Sequence, residues 1–340
     1  MGLELVILIV ALALLFDYFN GFNDAANSIA TVVATKVLTP IQAVAWAAFF
    51  NFVSAFTFGT AVAKTIGQGM VNLEYVTPVV ILGGLTGAIV WVFSTSMMGL
   101  PVSASHALMG GYAGSAMSRV AELHGLGRSF DAVILSGWVK PVLFIVAAPV
   151  LGLFLSGAMM VAVYWLLRNA IPSRTNRYFR RLQLLSAAIF SYAHGTNDAQ
   201  KTMGIITGAL FAGGYLTAFE VPIWVIFSAH GAIALGTMMG GWRVVETMGS
   251  RITRLQSREG FCAETAGATS VLVATALGQP VSTTHTIAGA IVGVGVVRRL
   301  RAVRWRMTTR IVWAWILTMP CAALVGWLSY RLLTLLGVGG

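Results

Sequence analysis

Charge is what this sequence has least of. Asp, Glu, Lys and Arg fill 10% of its 340 positions, where an ordinary soluble domain carries about 25%. Acids are the scarcer half, 11 against 22 bases, and only two cysteines occur, Cys262 and Cys321. The lack of charge excludes a water-soluble globule. Stretches without one charged residue run over 37–63, 75–118, 141–167, 265–297 and 311–330, and each is as long as the roughly 20 residues that a membrane-spanning helix needs. Two isolated thiols exclude a disulfide framework and a cysteine-ligated metal cluster, and read as small buried hydrophobes. What is abundant is apolar: 57% of residues are hydrophobic and the mean hydropathy is +0.82. The opening run MGLELVILIVALALLFDYF has Glu4 where a leader would be basic and lacks a small-residue cleavage site, so it reads as a retained span.

A net charge of +11 suggests nucleic acid as partner for a soluble protein, but the position of the charges decides otherwise. Fifteen of the 22 bases fall in three short stretches, 168–181, 243–258 and 298–310, which read as loops facing the cytoplasm by the positive-inside rule. Two spans, about 182–213 and 221–240, separate the first two stretches. Two apolar arms, about 262–278 and 280–297, separate the last two. Segment 131–167 is too long for one span, since 37 residues make a helix of about 55 Å. We expect 131–140 to be an interfacial lead-in ended by Pro141.

The sequence repeats itself. FDYFNGFNDAANSIAT (16–31) matches FSYAHGTNDAQKTMGI (190–205) at an offset of 174, and GLPVSASHALMGGYAG (99–114) matches GQPVSTTHTIAGAIVG (278–293) at an offset of 179. Because the charge pattern sends 16–31 inward and 190–205 outward, the halves are inverted relative to each other. That is the plan of secondary transporters, which hold substrate and coupling ions near the midplane at interrupted helices. The expected fold is therefore an all-α polytopic membrane protein, an inverted-repeat secondary transporter with two broken-helix or re-entrant hairpin elements. Its first repeat spans 1–167, a basic cytoplasmic connecting loop 168–181, and the second repeat 182–340.

Each Asn-Asp motif places a carboxamide and a carboxylate two and three residues after a glycine. Local unwinding at Gly21 and Gly195 would let backbone carbonyls join Asn23, Asp24, Asn197 and Asp198 in an oxygen cage for a hard cation. An ionised Asp near the bilayer centre costs several kcal/mol, so it faces a cavity, pairs, or binds a cation or proton. Capping of broken helices by Asp24 and Asp198 is the structural alternative, and Lys201 is able to pair with Asp198. Each Pro-Val-Ser motif lies inside a long uncharged run and must break it. Proline at the first helical position, followed by hydroxyls and free N–H groups, builds an oxyanion site from Ser103, Ala104 and Ser105 on one side and Ser282, Thr283 and Thr284 on the other. Capping and back-bonding by these hydroxyls is the plainer reading. Glu264, just inside an apolar arm, is a gate or coupling residue or else an interfacial one. His106 and His285 read as packing residues. His194, beside the second Asn-Asp, is the stronger candidate for transport, and Asn27, Gln200 and Lys201 complete the supporting set.

GFNDAAN and AHGTNDAQK, together with PVSASH and PVSTTH, resemble the inorganic phosphate transporter (PiT) family across both halves of the chain. The resemblance implies a phosphate symporter of the cytoplasmic (inner) membrane, with two re-entrant hairpins holding the anion beside aspartate-coordinated cations. It places Asn23, Asp24, Asn197 and Asp198 at cation or proton coupling, Ser103, Ser105, Ser282, Thr283 and Thr284 at phosphate, and Glu264 among carboxylates needed for transport. It implies no enzyme activity and no resident cofactor or structural metal. The coupling ion is H+ or Na+, with a divalent metal carried along with phosphate as a further option. Inorganic phosphate and the lipid bilayer are the expected partners, with a homodimer left open. A divalent-metal transporter would not need duplicated Pro-Ser starts. An intramembrane serine hydrolase would not duplicate its nucleophile. Sulfate or a related oxyanion is the nearest competing substrate.

Overall fold

The computed structural model describes residues 2–57, 59–68 and 70–338. Among them are twelve α-helices and no strand, only the single bridge between Val71 and Val133. The first six are α1 (Leu3–Ala34), α2 (Pro40–Val53), α3 (Ala61–Gln68), α4 (Pro78–Met97), α5 (Ala104–His124) and α6 (Leu135–Leu166). The second six are α7 (Pro172–Ala212), α8 (Ile223–Met239), α9 (Trp242–Glu246), α10 (Ser257–Ala276), α11 (Thr283–Arg298) and α12 (Trp305–Leu335), with a π-helical turn at Thr247–Arg251 after α9. Helices α1, α4, α6 and α12 are each long and apolar enough to cross a bilayer, and α8 with the α9 segment forms a fifth candidate bent by 67°. The outer faces of α6 and α12 expose Leu143, Val146, Phe154, Trp313, Ile316 and Leu324. A belt of that kind is tolerated only against lipid.

The two Asn-Asp motifs lie in the middle of the molecule because α1 and α7 are apolar at both ends and polar between. Along α1, Ile9, Ala13 and Phe16 join one apolar core and Ala26, Ile29 and Ala30 join the other. Along α7 the order is reversed, with Ala187, Phe190 and Ala193 in the second core and Ala199, Met203 and Ile206 in the first. The two helices therefore run antiparallel, and both cross a polar layer sandwiched between hydrophobic ones.

The halves interlock. Helix α5 packs on α12 while α11 packs on α6, and α1 packs on α8 while α7 packs on α2. Paired glycines permit the first exchange. A Cβ at Gly110 or Gly114 would lie 2.5 or 2.0 Å from the carbonyl oxygens of Met319 or Ala323, and one at Gly289 or Gly293 would lie 2.1 or 2.2 Å from those of Pro149 or Leu153. This is small-residue packing, in which backbones touch because no side chain holds them apart.

Both hairpins turn by the same device. Gly99 and Gly278 adopt φ +68, and the following residues donate back into the helix they leave, Leu100 N to Thr95 O at 3.0 Å and Gln279 N to Ala274 O at 2.9 Å. These are Schellman closures, which need the left-handed residue that glycine supplies most cheaply. After a short extended piece containing Pro101 or Pro280, α5 and α11 begin with Ser103 and Ser282 as N-caps.

Several expectations are corrected. No unwinding occurs at Gly21 or Gly195, since α1 and α7 run unbroken through both motifs. These glycines serve close packing instead: a Cβ would sit 2.1 Å from Ile233 O or 2.6 Å from Asn51 O. With no broken end to serve, Asp24 and Asp198 are not caps. Pro101 and Pro280 lie two residues before the N-caps and not at the first helical position. Pro141 does not end a lead-in, because α6 begins at Leu135 and carries both Pro141 and Pro149 inside it. The basic stretches are largely helical: α7 starts at Pro172, and the 243–258 stretch holds most of α9 and its π turn. Arginine is a good helix former, and charge alone does not mark a loop.

Candidate functional site

The break before α5 and the break before α11 bring two helix N-termini together at the polar layer of α1 and α7. Thr284 Oγ1, at the start of α11, lies 3.3 Å from Val102 O, just before α5, and the rings of His106 and His285 meet edge to face at 4.7 Å. Every residue singled out in the sequence for this region is buried, none more than 3% exposed. The centre is thus sealed from both sides of the molecule.

Asp24 is clasped by the opposite half. Thr283 Oγ1 donates to its Oδ2 at 3.1 Å and Thr284 Oγ1 to its Oδ1 at 3.2 Å, while Asn27 Nδ2 approaches both hydroxyls at 3.3 and 3.0 Å. Asp198 instead holds Lys201, whose Nζ donates to Asp198 Oδ1 at 2.8 Å, to Val281 O at 3.1 Å and to Ser105 Oγ. The two asparagines tie the motifs to the hairpin tips. Asn23 Nδ2 donates to Val102 O at 3.0 Å and its Oδ1 accepts from Ser96, while Asn197 Nδ2 donates to Thr275 Oγ1 at 2.8 Å and to Gln279 O at 3.2 Å. Ser103 and Ser282 accept the N–H of His106 and His285. Each cap leaves its hydroxyl proton and the first free N–H groups of its helix available to an anion.

His194 stands between the two carboxylates. Its Nε2 is 3.6 Å from Asp24 Oδ2 and 3.7 Å from Asp198 Oδ2, and its Nδ1 is 3.1 Å from Asn51 Oδ1. Asn51 spends its amide hydrogen on Thr237 Oγ1 at 2.9 Å, so its oxygen faces His194 and takes the Nδ1 proton. Nε2 then faces two carboxylates and has no hydrogen-bond partner among the described residues. One ligand atom from each of Asp24, His194 and Asp198 lies within 4.8 Å of the others. A proton or a metal ion is the missing partner that such a trio accepts.

Glu264 is not exposed. It is fully buried between α1, α7 and α10, accepting from Thr31, from Ser186 and from Gln183 Nε2 at 3.1 Å. Thr31 is seven residues past Asp24 on α1, or about 10 Å along the helix. Gln200 stands apart from the centre: its Oε1 accepts the N–H of Val62 at 2.9 Å and its Nε2 returns to Thr196 O, so it pins the start of α3. Ala104 offers only main chain.

Sequence reasoning missed Asp17, Asn20, Asn51, Ser96, Thr31, Gln183 and Ser186. Asp17 is a third buried aspartate, and Asn20 Nδ2 is 3.4 Å from both Asp17 Oδ1 and Asp198 Oδ2. A signal existed for two of them: Asn20 occupies the repeat position of His194, and Ser96 that of Thr275. Asn51 is a lone polar residue in the apolar second half of α2, and Gln183 is one of many polar residues in the first turns of α7, so nothing local distinguishes either.

Compared with known proteins, the chain matches the phosphate transporter family over residues 20–326. It belongs to that family. A probable low-affinity inorganic phosphate transporter of Rhizobium meliloti (strain 1021) is 49% identical over 331 residues, covering 97% of each chain. One of the same description from Bacillus subtilis (strain 168) is 40% identical over 338 residues, covering 98% of each. Among solved structures, a sodium-dependent phosphate transporter superimposes with a TM-score of 0.87 at 26% identity, covering 98% of this chain and 100% of that one. The family's proteins are transporters and not enzymes, phosphate is the family's substrate, and this chain with its apolar helices is an integral membrane protein.

Proposed function

We propose that the chain is a phosphate symporter of the cytoplasmic membrane, coupled to a cation or proton at Asp24 and Asp198. The observation that carries this reading is the clasp of Asp24 by Thr283 and Thr284 at the start of α11. A carboxylate there occupies the place, and uses the donors, that an oxyanion would want at a helix N-terminus. Phosphate gains those donors only when a cation or proton neutralises Asp24 and releases the hydroxyl protons. Ser103, Ala104 and Ser105 supply the matching end from α5.

Charge balance supports the same order of events. The polar layer holds Asp24 and Asp198 against Lys201, a formal excess of one negative charge. Adding an anion to that layer without a cation costs several kcal/mol per uncompensated ion. Cation and phosphate must therefore raise each other's affinity by the same factor. The sodium dependence of the superimposable transporter favours an ion gradient as the drive. The Asp24, His194 and Asp198 trio supports a second form of the cargo, a metal–phosphate complex. We read the halves 1–167 and 182–340 as inverted repeats, with the basic stretches on the cytoplasmic side.

Radiolabelled phosphate uptake into proteoliposomes tests the proposal. Accumulation under an imposed sodium or proton gradient, undiminished by excess sulfate, is the expected result and names the ion. If neither gradient drives uptake even with added magnesium, the symport reading fails. Glu264→Gln tests the gate role separately. The variant keeps the shape of a side chain held by three donors, so we expect near-normal thermal stability in detergent and phosphate uptake lowered at least 10-fold. Unchanged uptake would reduce Glu264 to a structural residue.

A further inference from the structure

We infer that the Lys201 ammonium is a resident cation that fills the second of two equivalent oxygen cages, leaving only the first cage for a mobile cation. This rests on the symport reading and specifies which half of the site accepts the coupling ion.

The equivalence follows from the repeat offsets. Lys201 Nζ is held by Asp198, Ser105 and Val281 O. Subtracting 174 from the α7 positions gives Asp24 for Asp198 and Asn27 for Lys201. Shifting the hairpin positions by 179 gives Val102 for Val281 and Thr284 for Ser105. All four counterparts meet beside α1. Thr284 Oγ1 lies 3.2 Å from Asp24 Oδ1, 3.3 Å from Val102 O and 3.0 Å from Asn27 Nδ2. The structure thus contains the same carboxylate, hydroxyl and carbonyl twice, once around an ammonium and once bridged only by the neutral amide of Asn23, whose Nδ2 donates to Asp24 Oδ1 at 2.6 Å and to Val102 O at 3.0 Å.

Two features mark the first cage as a cation site. Thr284 Oγ1 lies 3.2 and 3.3 Å from the other two oxygens, hydrogen-bond distances that also suit a cation's shell: neighbours at right angles around an ion with about 2.3–2.6 Å bonds lie about 3.3–3.7 Å apart. Sodium, close to calcium in size, fits that spacing better than magnesium, whose shorter bonds ask for about 2.9 Å. The second feature is Asn27 Oδ1, a fully buried carbonyl oxygen with no hydrogen-bond partner among the described residues. Buried acceptors are almost always satisfied; Asn27 turns its Nδ2 to Thr283 and Thr284, and a turn of the carboxamide would bring Oδ1 to a cation beside Asp24.

The second cage lacks that need. A lysine ammonium has three donors, and all three are spent on the three cage oxygens. Asp198 is thereby neutralised by a charge that cannot leave. In the second cage Ser105 Oγ accepts from the ammonium, which turns its own proton away from Lys201; a cation in the first cage would turn the Thr284 proton away from Asp24 in the same way.

Exchanging the two residues tests the assignment, with sodium as probe and choline as control. Lys201→Asn installs in the second half what the first half has. The purified variant should gain a sodium-dependent rise in Tm beyond that of the unsubstituted protein, and the gain should persist when Asp24→Asn is added. Reconstituted, its zero-current potential should correspond to one more cation per phosphate. Asn27→Lys is the converse, and its phosphate binding should lose dependence on the coupling cation. A folded Lys201→Asn protein with unaltered sodium response, or a gain that Asp24→Asn removes, overturns the inference. So does an Asn27→Lys variant that still requires the cation, which keeps the test open if Lys201→Asn does not fold. These failures are distinct from failure of the symport reading, which would show as no gradient-driven phosphate uptake by the unsubstituted chain.

Discussion

Asp24→Asn is expected to abolish gradient-driven phosphate accumulation while leaving the protein folded. The substitution keeps the volume of the side chain and one acceptor for Thr283 or Thr284, so the clasp at the start of α11 survives in part. What it removes is the charge that a cation must neutralise before phosphate gains those donors. Losing one member of a buried charge pair costs about 2–5 kcal/mol, or about 30-fold to several thousand-fold in the coupled step. Initial rates of labelled phosphate uptake in proteoliposomes measure the loss, and a monodisperse elution profile in detergent shows that folding is retained. Full accumulation by this variant would remove Asp24 from the coupling mechanism, and His194 and Asp198 would have to carry it alone.

Gly114→Leu is expected to act on the opposite property, abolishing the fold with no direct effect on the site. Its Cβ alone would stand 2.0 Å from Ala323 O and 2.6 Å from the Ala323 carbonyl carbon and Cα. Backbone cannot rotate away as a side chain can, so α5 and α12 must separate along their shared face. The cost exceeds the roughly 1–3 kcal/mol typical of an overpacked core. Gly293→Leu should fail equally, because Leu153 O stands in the matching place at 2.2 Å. Gly231→Leu in α8 is the control: a Cβ there meets nothing within 4 Å, and its yield and Tm should be nearly unchanged. Comparable losses from all three would mean that added side-chain bulk, and not the interlocking of the halves, limits folding.

The same glycines show how sequence and structure divide the explanation. The spacing of Gly110 and Gly114, repeated at Gly289 and Gly293, was legible as part of the duplicated motif. The partners at Met319 and Ala323, and at Pro149 and Leu153, were not. Nothing in α6 or α12 repeats visibly, since a helix that offers only its backbone oxygens to a glycine is under little constraint on its side chains. Gly21 and Gly195 were read as points of unwinding, a reading that considers one helix at a time. A helical glycine is tolerated where a second backbone lies against it, and only packing reveals the second backbone.

The site divides along a similar line. Asp24, Asp198, the asparagines beside them and the six hairpin positions could be selected because charge and amide groups are costly in an apolar span and because each occurs twice. Glu264 could be noticed for the first reason alone. Asp17 escaped notice within an otherwise aromatic stretch, FDYF, at the end of the opening apolar run. Lys201 was visible as an irregularity between the copies, but its bond to Ser105 of the other half requires both halves of the interlocked fold to be in place.

By itself the sequence determined the membrane as solvent, the helical class, the duplication and the polar residues that must be sheltered from lipid. Those follow from composition, periodicity and the free energy of placing charge in hydrocarbon, which depend on local residue types. Only the tertiary structure decided that Asp24 meets Thr283 and Thr284, that His194 stands between two carboxylates, and that Lys201 occupies one of two like cages. Those contacts join residues as far as 260 positions apart, and their geometry is set by how closely glycine-faced helices approach, a distance that no run of residues encodes alone.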